Sequence, residues 1–228
     1  MSAEGARSVA SAWQQTSGPE PPHDCHLCSR LTTFRRANIE TEPDWFNAPV
    51  PSFGDADARL LIVGLAPGLK GANRTGRPFT GDYAGELLYG TLTAYGFAEG
   101  RYLATADDGL RLKECMITNA VRCVPPQNKP TPAEIASCRP FLTQRIAALE
   151  SLRVVLALGR IAHDSSLAAL GLRARAHPFA HGARHTLRPG LALYDSFHCS
   201  RYNTNTGKLT EAMFHSVFEA IRIELGAR

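Results

Sequence analysis

Four short apolar runs, spaced along the chain and separated by amphipathic stretches, constrain this sequence more than any other feature. They are Ala58 to Ala66, Cys115 to Val121, Val154 to Gly159 and Leu191 to Phe197. Each has the length of a strand, and each is nearly continuous rather than alternating, as strands buried on both faces are. Helical patterns lie between and after them, at Tyr83 to Tyr95, Thr131 to Leu149, Ile161 to Leu170 and Thr210 to Leu225. Thr131-Pro132-Ala133-Glu134 opens the second of these with Thr as N-cap, Pro at the first helical position and Glu at the third. Strands alternating with helices predict a three-layer α/β/α fold around a central four-stranded parallel sheet. Composition agrees. Of 228 residues, 44% are hydrophobic and 20% charged, which excludes collagen-like, coiled-coil and wholly disordered chains.

Upstream of the first run, Arg30 to Asn38 reads as a polar helix, followed by a Pro-rich connector from Trp45 to Pro51. A single domain is expected over 23–228. Residues 1–22, rich in Ala, Ser, Gly, Glu and Pro and including Trp13, are expected to be a flexible tail. Met1 to Glu20 holds no apolar signal segment, and no run approaches the roughly 18 apolar residues of a membrane helix, so a cytoplasmic protein is expected. The net charge of +4, from 25 basic and 21 acidic residues, permits a polyanionic partner.

In parallel sheets ligands bind outside the carboxyl ends of the strands, so the residues after each run carry the functional signal. The first run leads into Gly64 to Asp82, with five glycines and two prolines. This loop has neither the Gly-Lys-Ser/Thr ending of a Walker A motif nor a GxGxxG pattern. It brings backbone close to a ligand, and it carries Asn73, Phe79 and Asp82. The second run ends in Thr118 to Asn128, where the amide of Asn119 offers both a donor and an acceptor suited to a base edge. Little chemistry is legible in Gly159 to His163 after the third run. The fourth leads into His198, then a polar loop with Arg201 and Tyr202.

Six cysteines in a cytosolic chain point to metal, chemistry or packing rather than disulfides. Cys25 and Cys28 form a CxxC knuckle, whereas Cys123 and Cys138 lie farther apart in sequence. Four thiolates suit zinc or a [4Fe-4S] cluster, and the loose second pair favours the cluster. Cys115 and Cys199 lie in or beside apolar runs and read as packing residues.

Taken together, Gly64-Leu65-Ala66-Pro67-Gly68 with Gly76 to Asp82, Thr118 to Cys123, His198-Cys199-Ser200 through Gly207, and the four-Cys pattern resemble the uracil-DNA glycosylase superfamily. Within it they match family 5, the iron–sulfur type B enzymes, over roughly 23–225. Ala66 stands where other branches carry a polar water-activating residue, and family 5 has Ala there too. The last motif commonly reads His-Pro-Ser, and here it is His198-Cys199-Ser200.

The resemblance implies a monofunctional DNA repair glycosylase. It would flip out uracil, with other deaminated bases such as hypoxanthine, and hydrolyse the N-glycosidic bond. His198 is then expected to stabilise the leaving base, and Asp82, with Asn73 as the alternative, to position water. Phe79 would stack on the base, Asn119 would bond its edge, and Ala66 would line the pocket. Arg74, Arg77, Arg122 and Arg201 are expected phosphate contacts, and Tyr202 or Arg201 the wedge that fills the vacated stack. The expected partner is damaged DNA in the bacterial nucleoid, bound by a monomer holding a [4Fe-4S] cluster on Cys25, Cys28, Cys123 and Cys138.

Overall fold

The computed structural model describes residues 20–226. The four apolar runs form strands β2 (Leu60–Gly64), β5 (Cys115–Asn119), β6 (Val154–Leu158) and β8 (Leu191–Ser196). Every residue in them is buried, which explains why none alternates in polarity. They pair in parallel in the order β5-β2-β6-β8. The register sets Gly64 opposite Asn119 and Leu158 opposite Ser196. The chain therefore leaves all four strands at one edge of the sheet, which is where the site assembles.

Helices cover both faces, as the pattern predicts. Leu60 and Ile62 face a cluster shared with α3 (Tyr83–Ala94) and α7 (Glu211–Glu224), through Leu88, Leu92, Phe214 and Phe218. Leu61 and Val63 face the opposite cluster, built with α4 (Pro132–Ala148) and α5 (Arg160–Ala169) through Leu142, Ile146 and Leu167. Each such buried side chain contributes about 1.5–3 kcal/mol relative to exposure. The Thr131–Glu134 capping box forms as the sequence predicts. The polar helix near the start is α1 (Ser29–Thr41).

Three features depart from expectation. The sheet has six strands, because β1 (Phe53–Gly54) and β7 (Arg184–Arg188) add antiparallel edges beside β5 and β8. The β7 residues alternate between exposed and half-buried, as edge strands do, and so lack the continuous apolar signature. A small antiparallel pair, β3 (Ala98–Glu99) and β4 (Arg111–Leu112), occupies the segment before β5. The tail expected over 1–22 lies outside the described residues except at its end. There Glu20 pairs with the buried Arg122 at 2.7 Å and with Arg145, and Pro21 is buried. The ordered fold therefore begins before residue 23. Among the described residues no helix is long and apolar enough to cross a membrane.

Candidate active site at the carboxyl ends of the strands

The loops after the four parallel strands enclose a cleft of about 810 Å³. Ala66, Phe79 and Asp82 line it from the first loop, Asn119 from the second and His198 from the last. The sequence motifs thus converge although they are far apart along the chain. Gly64 permits the convergence. A Cβ there would overlap Asn119 Oδ1 and lie 2.6 Å from the Phe79 ring.

Phe79 adopts a left-handed backbone with φ of 53°, which is strained for a bulky residue. Several groups hold it there. The Tyr102 hydroxyl donates to the Phe79 carbonyl at 3.2 Å and accepts from the Gly81 amide at 3.3 Å. Tyr89 donates to the Pro78 carbonyl at 2.7 Å. Behind them Arg77, wholly buried, makes two 2.7 Å bonds to Asp108 and donates to Thr80 Oγ1 at 2.7 Å. The Phe79 ring runs nearly parallel to His198, at 27° and 5.7 Å between centroids.

Asp82 caps α3, accepting from the Gly85 amide at 3.3 Å. Its other oxygen lies against Gly71, where no side chain has room. Burial pushes its carboxyl above the usual range, opposed by the Gly85 and Ala84 amides. His198 is fixed at its backbone by Asn203 Nδ2, which donates to its carbonyl at 2.8 Å. Burial lowers the imidazole pKa to about 4, so the ring is neutral near pH 7. His198 Nδ1 and Asn119 Oδ1 are buried with no hydrogen-bond partner. Unmet polar atoms of this kind cost about 1–3 kcal/mol each. A ligand bearing complementary groups would relieve that cost.

Several expected residues lie elsewhere. Asn73 sits in α2 (Ala72–Thr75), buried, and its Nδ2 donates to Asn47 Oδ1 at 2.9 Å. It braces the Pro-rich connector, and of the two candidates for positioning water only Asp82 lines the cleft. Arg77 and Arg122 are not phosphate contacts. Both are buried, Arg77 against Asp108 and Arg122 against Glu20, the Val50 carbonyl and Ser52. Sequence cannot separate a buried guanidinium from an exposed one. Arg74 and Arg201 are exposed, as are two cations the sequence reading missed, Lys70 and Arg160, and all but Arg74 line the cleft. Gly159 to Ala162, read as carrying little chemistry, in fact forms one cleft wall. Tyr202, beside Arg201 in α6 (Arg201–Asn205), is 75% exposed. Cys199 is fully buried, its thiol donating to the Ala84 carbonyl at 3.5 Å, and Cys115 is also fully buried.

Cys25, Cys28, Cys123 and Cys138 line one cavity, where the start of α1, the loop after β5 and α4 meet. All four are free thiols. Arg35 donates to Cys123 Sγ at 3.5 Å and the Arg122 amide to Cys138 Sγ at 3.3 Å. Burial pushes Cys123 up to about 12 and Cys138 up to about 11, so only a bound cation would hold them as thiolates near pH 7. No three of these sulfurs come within 4.8 Å of one another.

Residues 51–222 match the family model described as the uracil DNA glycosylase superfamily. The chain is 48% identical over 206 residues to the type-5 uracil-DNA glycosylase of Thermus thermophilus, covering 87% of this chain and 93% of that one. It is 39% identical over 203 residues to the type-5 uracil-DNA glycosylase of Mycobacterium tuberculosis, covering 85% of this chain and 75% of that one. It is 36% identical over 207 residues to the type-5 uracil-DNA glycosylase of Pyrobaculum aerophilum, covering 89% and 90% respectively. With the site assembled from the same loops that carry the sequence motifs, this chain belongs to the uracil-DNA glycosylase superfamily and, within it, to the type-5 group.

Proposed function

We propose that the protein excises uracil from DNA by hydrolysing the N-glycosidic bond, as the first step of base excision repair. The observation that carries this reading is one cleft lined together by Asn119, His198 and Phe79, where Asn119 Oδ1 and His198 Nδ1 are polar atoms without a hydrogen-bond partner. A uracil flipped from the stack presents an N3–H donor and carbonyl acceptors to such a surface.

In the reaction the C1′–N1 bond breaks, leaving positive charge on the sugar and negative charge on the base. His198, neutral near pH 7, would donate a hydrogen bond to the departing base. Asn119 would accept from N3–H and hold the base in register. Asp82, as carboxylate, would orient the attacking water and take its proton. Oxygen from that water ends on C1′, and uracil leaves. Phe79 offers a face for stacking. Lys70, Arg74, Arg160 and Arg201 would hold backbone phosphates, and Tyr202 would fill the gap left by the flipped nucleotide.

Three finer readings complete the proposal. The small side chain of Ala66 supports acceptance of larger deaminated bases such as hypoxanthine. Cys25, Cys28, Cys123 and Cys138 would hold a [4Fe-4S] cluster that ties α1 to the second loop, a mainly structural role. The protein would act as a monomer on nucleoid DNA in the cytoplasm. The test is incubation with an oligonucleotide containing one U·G pair, read as alkali-labile cleavage, with hypoxanthine, xanthine and thymine mismatches alongside. Cleavage at uracil is expected; an intact strand in every case would overturn the reading.

A further inference from the structure

Away from the cleft and from the cysteines, three side chains from three elements converge. His163 from α5 and Asp195 from β8 are fully buried, and His185 from the edge strand β7 is half-buried. His163 Nδ1 lies 2.7 Å from Asp195 Oδ1, and His185 Nε2 lies 3.3 Å from Asp195 Oδ2. The three ligand atoms all fall within 4.8 Å of one another.

The tautomer of His163 is the informative detail. Its Nε2 lies 2.8 Å from the carbonyl oxygen of His177. A carbonyl only accepts, so Nε2 carries the proton. In the neutral ring Nδ1 then holds a bare lone pair, facing the lone pairs of a carboxylate. A positive charge makes that contact favourable: either a metal ion between the two atoms or a proton on Nδ1 that turns the ring into an imidazolium. A metal-bound histidine commonly donates its other ring N–H to a backbone carbonyl, which fixes the ring and raises its basicity. The His177 carbonyl stands in that position.

We propose that His163 Nδ1, His185 Nε2 and the Asp195 carboxylate form a binding site for a borderline divalent transition ion of the zinc class. Two imidazoles and one carboxylate are a common zinc donor set, with water or the second carboxylate oxygen completing four-coordination. Bonds of 2.0–2.1 Å place tetrahedral ligand atoms about 3.3 Å apart. His185 Nε2 and Asp195 Oδ2 already have that separation, and His163 Nδ1 and Asp195 Oδ1, at 2.7 Å, need to open by roughly 0.6 Å. The ion would pin α5 and β7 to the central strand β8. The N-terminal turn of α5 lines the cleft, and β8 runs directly into His198. The site is therefore placed to stiffen two of the cleft's walls without touching the reacting atoms.

The test is the metal content of the full-length protein, purified without chelator from zinc-supplemented cells, for wild type and His185→Ala. His185 is chosen because it lies on an edge strand and is only half-buried. One zinc equivalent more in wild type than in the variant is expected, with iron unchanged between them. Loss of this ligand should weaken zinc affinity by at least the roughly 10- to 100-fold typical of losing a supporting partner. Co²⁺ added to zinc-depleted wild type provides a second readout that needs no variant. The expected spectrum has the d–d bands of nitrogen and oxygen ligation without thiolate charge-transfer bands. Equal zinc in the two proteins, or Co²⁺ bands of thiolate character only, would overturn the proposal and leave His163 as a buried imidazolium paired with Asp195.

Discussion

Phe79 and His198 face each other across the cleft, rings nearly parallel at 27° and centroids 5.7 Å apart. They belong to the loops after the first and last apolar runs, brought together by the parallel sheet and held by Tyr102 on one side and Asn203 on the other. Gly64 is the keystone of this arrangement, because Asn119 and Phe79 both press against its backbone. Gly64→Ala should therefore reduce uracil excision by displacing both side chains, while the buried strand keeps its place. Single-turnover rates and circular dichroism check this together: slow excision from a folded variant is expected.

With Asp82 in the proposed water-positioning role, the pH–rate profile should carry an acid limb set by its carboxyl. Water positioning requires the carboxylate, so excision should rise with pH through the Asp82 pKa. Burial raises that pKa from its usual value, so the limb should lie above the ~3.9 of a free aspartate. His198 behaves oppositely. Its pKa is lowered to about 4 by burial, so no step should appear near the ~6.5 of free histidine. Excision by wild type and Asp82→Asn measured across pH 4–8 tests both statements. The limb should disappear in the variant.

Arg77 and Asp108 form a pair with no solvent exposure, two 2.7 Å bonds linking them. Asp108→Ala strands a buried guanidinium, a change that costs about 3–5 kcal/mol. For a chain of this size the Tm should fall by on the order of 10 °C, which thermal unfolding would report. Because the pair supports the Phe79 loop, excision should fall as well.

Phosphate contact is assigned to exposed cations only. Arg201→Ala should lower the slope of log affinity against log salt by about 0.9, the value for one phosphate on duplex DNA. Fluorescence anisotropy at several salt concentrations measures this. An unchanged slope would remove Arg201 from the DNA interface.

If Cys25, Cys28, Cys123 and Cys138 hold the proposed cluster, its removal should loosen the region where α1, α4 and the second loop meet. Cys123→Ser, or oxidative loss of iron, should lower both iron content and Tm, with bound iron read from absorbance and elemental analysis. Iron retained in full by Cys123→Ser would refute its place among the ligands.

The fold was legible because the four central strands are buried on both faces and so appear as unbroken apolar runs. Edge strands carry no such mark: β7 alternates in exposure, and β1 has two residues. The site was legible wherever glycine-rich or polar loops follow a strand, as with Phe79, Asp82, Asn119 and His198. It was obscure where chemistry depends on side-chain direction. Arg77 and Arg74 stand three positions apart in one loop, yet the first is buried and the second exposed. Asn73, also in that loop, turns toward Asn47. Arg160 follows a strand with no polar loop behind it, and only the sheet order brings it beside the cleft.

The most direct measurement is single-turnover release of uracil from a U·G duplex by wild type, Asp82→Asn and His198→Ala, at enzyme concentrations that saturate binding. Wild type should release uracil rapidly. Each variant should be slower by about 100- to 1000-fold, the usual loss for one preorganised catalytic group, with DNA affinity largely retained. Equal rates in all three proteins would contradict the assignment of this cleft as the active site.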